Sequence, residues 1–202
     1  GPGFCVSPDG WIVTNEPVVG DAPTVDVRGV DGKLLTAQVV KKDRKVDLAI
    51  LKIDQKPSSW LGVSSSVAKM GDNVFTIGFP NATVQGVEPK FTDGRVSSLT
   101  GIRDDRDTYQ TSVPVGPGNS GGALVNAKSG DVVGVISSKL NSRLDADNVS
   151  YAVKAPVLLD ILNSTVGSGV AGHPVSSNAL GDGESAVIDR VRAATYLILV
   201  KE

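Results

Sequence analysis

Residues Gly116–Leu124 read Gly-Pro-Gly-Asn-Ser-Gly-Gly-Ala-Leu. One serine stands among glycines, and an apolar run begins directly after it. Glycine has no Cβ, so such a stretch can turn tightly and present consecutive backbone N–H groups. Those groups can stabilise an oxyanion while the serine hydroxyl attacks a carbonyl. A plain Gly-Ser turn is the bland alternative, but a pattern this long followed by a β-type run is more specific than that. Ser120 is the candidate nucleophile, and the N–H groups of Gly118, Asn119 and Ser120 form the candidate oxyanion hole.

Outward from this loop the chain reads as short apolar runs between turn signals. The runs are Gly3–Val6, Trp11–Thr14, Thr24–Arg28, Leu34–Lys41, Leu48–Ile53, Asn73–Gly78, Phe91–Leu99, Tyr109–Thr111, Ala123–Val125, Val132–Ser138 and Val149–Val153. Gly (23) and Pro (11) are spread along the 202 residues, and Pro8-Asp9-Gly10 and Asp31-Gly32 have hairpin chemistry. Many short strands with such turns predict an all-β fold of one or two barrels. Within Lys45–Ile53, Asp47 sits at the mouth of an apolar strand, where an acid can hold a histidine in the tautomer that catalysis needs. A surface Asp before a strand is the ordinary alternative.

Composition narrows the function further. Lys plus Arg is 20 against Asp plus Glu at 22, a net charge of −2, so nucleic-acid binding has no electrostatic support. No apolar run approaches a membrane span. Cys5 and His173 are each the sole residue of their type, which argues against a His/Cys metal site and excludes an intrachain disulfide. No metal and no cofactor is expected.

Together these residues resemble the trypsin-like serine proteases of the HtrA/Deg type, over most of Gly1–Val166. Gly3–Asn15 is similar to the family segment leading to the catalytic histidine, and Asp47–Lys52 to the segment carrying the acid. Val74–Pro80 and Asp93–Ser97 are similar to its second-barrel strands, Gln110-Thr111 and Pro117–Leu124 to its nucleophile loop, and Ser150–Val153 to the strand before its closing helix. The resemblance implies two six-stranded β-barrels with the active site in the cleft between them. It also implies that the residues before Ser120 and the Val135–Lys139 strand line the first specificity pocket. Pro114, Ile136, Ser137 and Ser138 are therefore the expected substrate-binding positions. Pro114 stands where enzymes cutting after Lys or Arg carry an acid, so a small or apolar side chain is the better match.

One departure matters more than every match. The family reads Thr-Asn-x-His-Val-Val, whereas this chain reads Thr14-Asn15-Glu16-Pro17-Val18-Val19. Pro17 has no titratable group and cannot accept the Ser120 proton. Glu16 is adjacent but points elsewhere by its register, and a carboxylate is a weak base at neutral pH. His173 lies in a Gly/Ser-rich stretch without a fixed partner. The sequence thus predicts a catalytically impaired pseudoprotease that binds peptide or unfolded protein, with an active endopeptidase using a substitute base as the alternative. Export to the periplasm is implied by resemblance alone.

The organisation expected is a protease domain over 1–166, with barrels at about 1–65 and 66–155 and a helix at 156–166. A flexible linker follows at 167–186, then a strand at 187–202. Pro156–Val166 carries a helical face, with proline in its first turn. Tyr196–Val200 reads as a buried strand that completes the first barrel from the wrong end of the chain, as in a circular permutation, or that completes a neighbour's barrel in a swapped dimer.

Overall fold

A computed structural model describes residues 1–79, 88–137, 149–167 and 183–200. The first barrel consists of β1 (Pro2–Cys5), β2 (Trp11–Thr14), β3 (Thr24–Arg28), β4 (Leu34–Asp43), β5 (Leu48–Ile53) and β12 (Thr195–Leu199). It closes in the order β1-β12-β3-β4-β5-β2. The second consists of β6 (Asn73–Gly78), β7 (Lys90–Ser98), β8 (Thr108–Thr111), β9 (Ala123–Asn126), β10 (Val132–Ile136) and β11 (Ser150–Lys154), closing as β10-β11-β8-β7-β6-β9. The double-barrel expectation holds, with the strands close to those read from the sequence.

The continuous apolar runs have a simple cause. Side chains alternate across a strand, and here both faces are dry. On β5, Ala49, Leu51 and Ile53 fill the first barrel, while Leu48 and Ile50 face the other way. There they meet Phe75, Ile77, Val125 and Val135 of the second barrel in a core between the two. The second barrel is filled by Val74, Val96, Tyr109, Leu124, Val133, Ile136 and Ala152.

β12 completes the first barrel within the same chain. Leu197 pairs with Pro2 on one side and Arg28 on the other, and Tyr196 and Ile198 point into the barrel. Gly3 lets Ile198 do so, because a Cβ there would lie 2.7 Å from Ile198 Cδ1.

The helices correct the sequence reading. The expected strand at 187–202 and the end of the expected linker contain a helix, α3 (Glu184–Ala193), and only Thr195–Leu199 is strand. Val187 and Val191 are both buried, four residues apart on one helical face, in the same inter-barrel core cluster as Ala155 and Leu158 of α2 (Ala155–Val166). Glu184 in the first turn and Arg190 and Arg192 in the last complement the helix dipole. The rest of the expected linker, residues 168–182, lies outside the described residues. A single turn of helix, α1 (Glu16–Val19), also went unread, because its four residues are too few to show a period.

Two outcomes follow. Ile198→Ala should cost about 2–5 kcal/mol, lowering Tm by roughly 4–20 °C; an unchanged melting curve would mean that β12 does not carry the first barrel. Burial pushes the Cys5 thiol up to about 11 and the Tyr196 phenol up to about 12. The folded chain then keeps the Cys5 proton where the unfolded thiol, near 9, has lost it. That stability is complete below about pH 9 and is lost as pH rises toward 11. Urea midpoints at pH 8 and 10.5 should show the fall, and Cys5→Ala should flatten it.

Candidate active site

The serine loop is built as a 3-10 turn, Pro117–Asn119, that hands over to extended backbone at Ser120 (φ −65°, ψ 126°). The Asn119 N–H donates to Gly116 O at 3.0 Å, and the Gly116 N–H donates to Asn119 Oδ1 at 2.9 Å. The Phe79 N–H donates to Gly118 O at 2.8 Å, tying the loop to the end of β6. Gly121 has φ +97°, and a Cβ there would lie 2.7 Å from Pro2 O and 2.6 Å from Thr14 Oγ1. Only glycine allows both this conformation and this approach of the loop to the first barrel. The Gly121 N–H then bonds Ile136 O, and the Ile136 N–H bonds Gly122 O, each at 3.0 Å, fixing the loop beside β10.

Of the three expected oxyanion donors, the Asn119 N–H is therefore committed inside the turn. Among the described residues, Ser120 Oγ has no hydrogen-bond partner. In a 3-10 turn each carbonyl faces the N–H three residues on, so the Pro117 carbonyl lies on the side of the Ser120 N–H.

Asp47 is buried (4% exposed) directly before β5 and holds a left-handed backbone, φ +64°. Such a conformation is uncommon for a residue with a Cβ. The Asn15 side-chain amide donates to the Asp47 carbonyl at 2.8 Å, and the Ser137 hydroxyl donates to Asp47 Oδ2 at 3.2 Å. The acid is thus gripped from both barrels.

Two expected substrate-binding side chains have other duties. Ile136 is fully buried in the second barrel, as the inward residue of β10. Ser137 is spent on Asp47. Their backbone is engaged too: Ile136 gives its N–H and its carbonyl to the serine loop, and the Ser137 N–H donates to Tyr151 O at 3.1 Å. Pro114 is exposed. Ser138 and His173 lie outside the described residues.

Pro17 sits exposed in the first turn of α1, a position its fixed φ suits. Glu16 turns away from the serine: its Oε1 accepts from Arg44 Nε at 3.2 Å. Asn15 is the N-cap of α1, yet its Oδ1 is buried with no hydrogen-bond partner. An N-cap oxygen ordinarily accepts from the N–H of the second or third helical residue. The second is Pro17, which has no N–H. The third, Val18, donates its N–H to the Asn15 carbonyl at 3.2 Å instead, a choice that the Asn-x-Pro spacing in the sequence does not reveal. A cavity of about 570 Å³ around Phe75 and Phe91 touches none of these groups.

Residues 1–135 match the trypsin-like peptidase domain family. Over 175 residues the chain is 38% identical to a probable periplasmic serine endoprotease DegP-like of Pseudomonas savastanoi pv. phaseolicola, covering 84% of this chain and 35% of the relative. It is 40% identical over 175 residues to one of the same description from Hahella chejuensis, covering 84% of this chain and 36% of the relative. The chain thus spans about a third of the length of these relatives. Among solved structures, the serine endoprotease from Yersinia pestis superposes with a TM-score of 0.67 at 28% identity, covering 83% of this chain and 58% of that one.

Pro17→Ala gives Asn15 Oδ1 a donor. Relief of a buried orphan is worth about 1–3 kcal/mol, against a loss of about 0.4–1 kcal/mol of proline rigidity. Tm should therefore rise, and the rise should vanish when Asn15 is alanine in both partners of the comparison. An equal or lower Tm would show that the cap does not form.

Proposed function

Because the chain belongs to the trypsin-like peptidase family, we propose that it is a catalytically impaired member, a pseudoprotease that binds peptide or unfolded protein between its barrels. It is a trypsin-like serine protease domain of the HtrA/DegP type. What carries the reading of impairment is Pro17, at the position where the family's histidine is expected. A nucleophilic serine needs a group that takes its proton during attack and returns it to the leaving amine. Pro17 can do neither. Glu16 is engaged by Arg44 and supplies no replacement. Loss of the base in a serine–histidine–acid site costs on the order of 10⁶ in turnover.

The binding half of the machinery is in better order. The serine loop is bonded to the end of β10 through Gly121 and Gly122, and a peptide is read to bind beside this loop. We read Ser120 and Asp47 as the remaining nucleophile and acid, and Pro114 as the exposed part of the contact surface. A small or apolar side chain suits the Pro114 region, which offers no acid to a basic one. The relatives' description as periplasmic supports export as the setting of this domain.

β12 is read as the family's opening barrel strand, standing after the β1 segment instead of before it. In support, Gly1 and Ile198 exchange both backbone bonds, at 2.8 and 3.2 Å, as neighbours in a hairpin would.

The test uses a histidine-free chromogenic peptide with alanine or valine before the scissile bond. The unaltered chain should give no turnover and no phosphonate labelling of Ser120. Pro17→His should gain both, and Pro17→His combined with Ser120→Ala should lose them. Ser120-dependent turnover of this peptide by the unaltered chain would overturn the reading.

A further inference from the structure

At one end of the first barrel lies a cavity that shares no residue with the candidate active site. We infer that it is a binding site for a small apolar monocarboxylate of about the size of benzoate.

Antiparallel pairing brings the walls together. β3 ends at Arg28 where β4 begins at Leu34, β5 ends at Ile53 against Ala37 of β4, and β12 begins beside the end of β3. All four strands therefore turn at the same barrel end. The cavity there is about 190 Å³, with Leu35, Ile53, Pro57 and Ala193 among its walls. Gly29 keeps part of it open. A Cβ at Gly29 would lie 3.2 Å from Tyr196 Cε1 and 3.4 Å from Asp31 Oδ1.

Tyr196 is the polar group built into this apolar wall. It is 5% exposed, and its phenol oxygen has no hydrogen-bond partner among the described residues. That oxygen is not sealed from solvent, and Tyr196 lines the cavity. Buried phenols ordinarily find a partner. Packing alone asks only for the ring, which phenylalanine also supplies. Burial first, and then the charge of Asp31, push the phenol up to about 12. At neutral pH Tyr196 therefore keeps its proton and offers a donor.

The charges beside it select the acceptor. Lys33 and Lys56 line the same cavity, and neither ammonium has an ion-pair partner among the described residues. Asp31 lines it too, but its Oδ1 accepts the Lys33 N–H at 3.0 Å and shapes the turn that the Gly32 N–H closes on Gly29 O. An incoming carboxylate meets two ammoniums and a phenol O–H against one carboxylate already engaged. An incoming ammonium meets the reverse. Apolar walls with a few placed polar groups are the common form of a small-molecule site. A cavity of about 150 Å³ takes benzene, so this one has room for such a ring with a carboxylate attached. The ring lies against Leu35 and Ile53, and the carboxylate accepts from Tyr196 and the lysines.

The test titrates benzoate, benzamide and benzylammonium into the unaltered chain at neutral pH and follows the backbone amide NMR shifts. Benzamide keeps the shape of benzoate without its charge, and benzylammonium reverses the charge. Benzoate should bind at least about tenfold tighter than either, the lower range for hydrogen bonds to a charged group. Its shifts should gather at Gly29–Leu35, Gln55–Ser58 and Tyr196. Tyr196→Phe keeps the ring in the barrel and should weaken benzoate by about tenfold or more. Lys33→Gln combined with Lys56→Gln should erase the preference for benzoate over benzamide. The site is overturned by benzoate that gives no saturable shift, shifts other residues, or binds no tighter than benzamide or benzylammonium. A folded Tyr196→Phe chain that holds benzoate as tightly as the unaltered chain overturns it as well. Turnover at Ser120 enters none of these readouts, so the result is independent of the pseudoprotease reading.

Discussion

Closure of the first barrel is the constraint on which the rest depends. A sheet that closes leaves no edge, and every strand finds hydrogen-bond partners on both sides. Here closure is delivered by β12, from the far end of the chain, between β1 and β3. The consequence reaches the candidate site. Pro2 of β1 places its carbonyl against Gly121 of the serine loop and accepts the Thr14 hydroxyl at 2.8 Å. Thr14 ends β2 and leads directly into Asn15 and Pro17. The first barrel's wall of the cleft is thus an extension of the strand pair that β12 braces.

What the sequence disclosed and what it withheld divide along physical lines. Strands were legible because burial on two faces makes them apolar throughout, as in Leu48–Ile53, and because hairpin turns punctuate them. The serine loop was legible because Gly121 has to be glycine twice over, for its φ and for its closeness to Pro2 O. The helix α3 was missed because Tyr196–Leu199, a strong strand signal, drew the preceding residues into the same reading. Its own signal is only Val187 and Val191 four apart. The duty of Ser137 was hidden for a different reason. Its bond to Asp47 joins residues 90 apart in the chain, and no local pattern encodes it.

Pro17 acts on two levels that are easily merged. At the level of chemistry it offers no group that can take a proton. At the level of the backbone it removes an N–H, and the buried Asn15 Oδ1 is left without a donor. These effects are separable, since alanine repairs the second and histidine repairs both. The distinction matters because Asn15 has a second task, the hydrogen bond to the Asp47 carbonyl. That bond is made by a side chain held through its amide nitrogen, while its oxygen stays without a partner.

That backbone is costly. A non-glycine residue held at positive φ stores of order 1–3 kcal/mol of strain. Asp47 adds a carboxylate buried to 4% exposure. Neither is needed to close a barrel or to fill a core, because glycine or asparagine would occupy the same turn more cheaply. The energy goes into holding one carboxylate in place, by the Asn15 amide through the Asp47 carbonyl and by the Ser137 hydroxyl through Oδ2. On the reading proposed for this site, that strain serves the acid and not the fold.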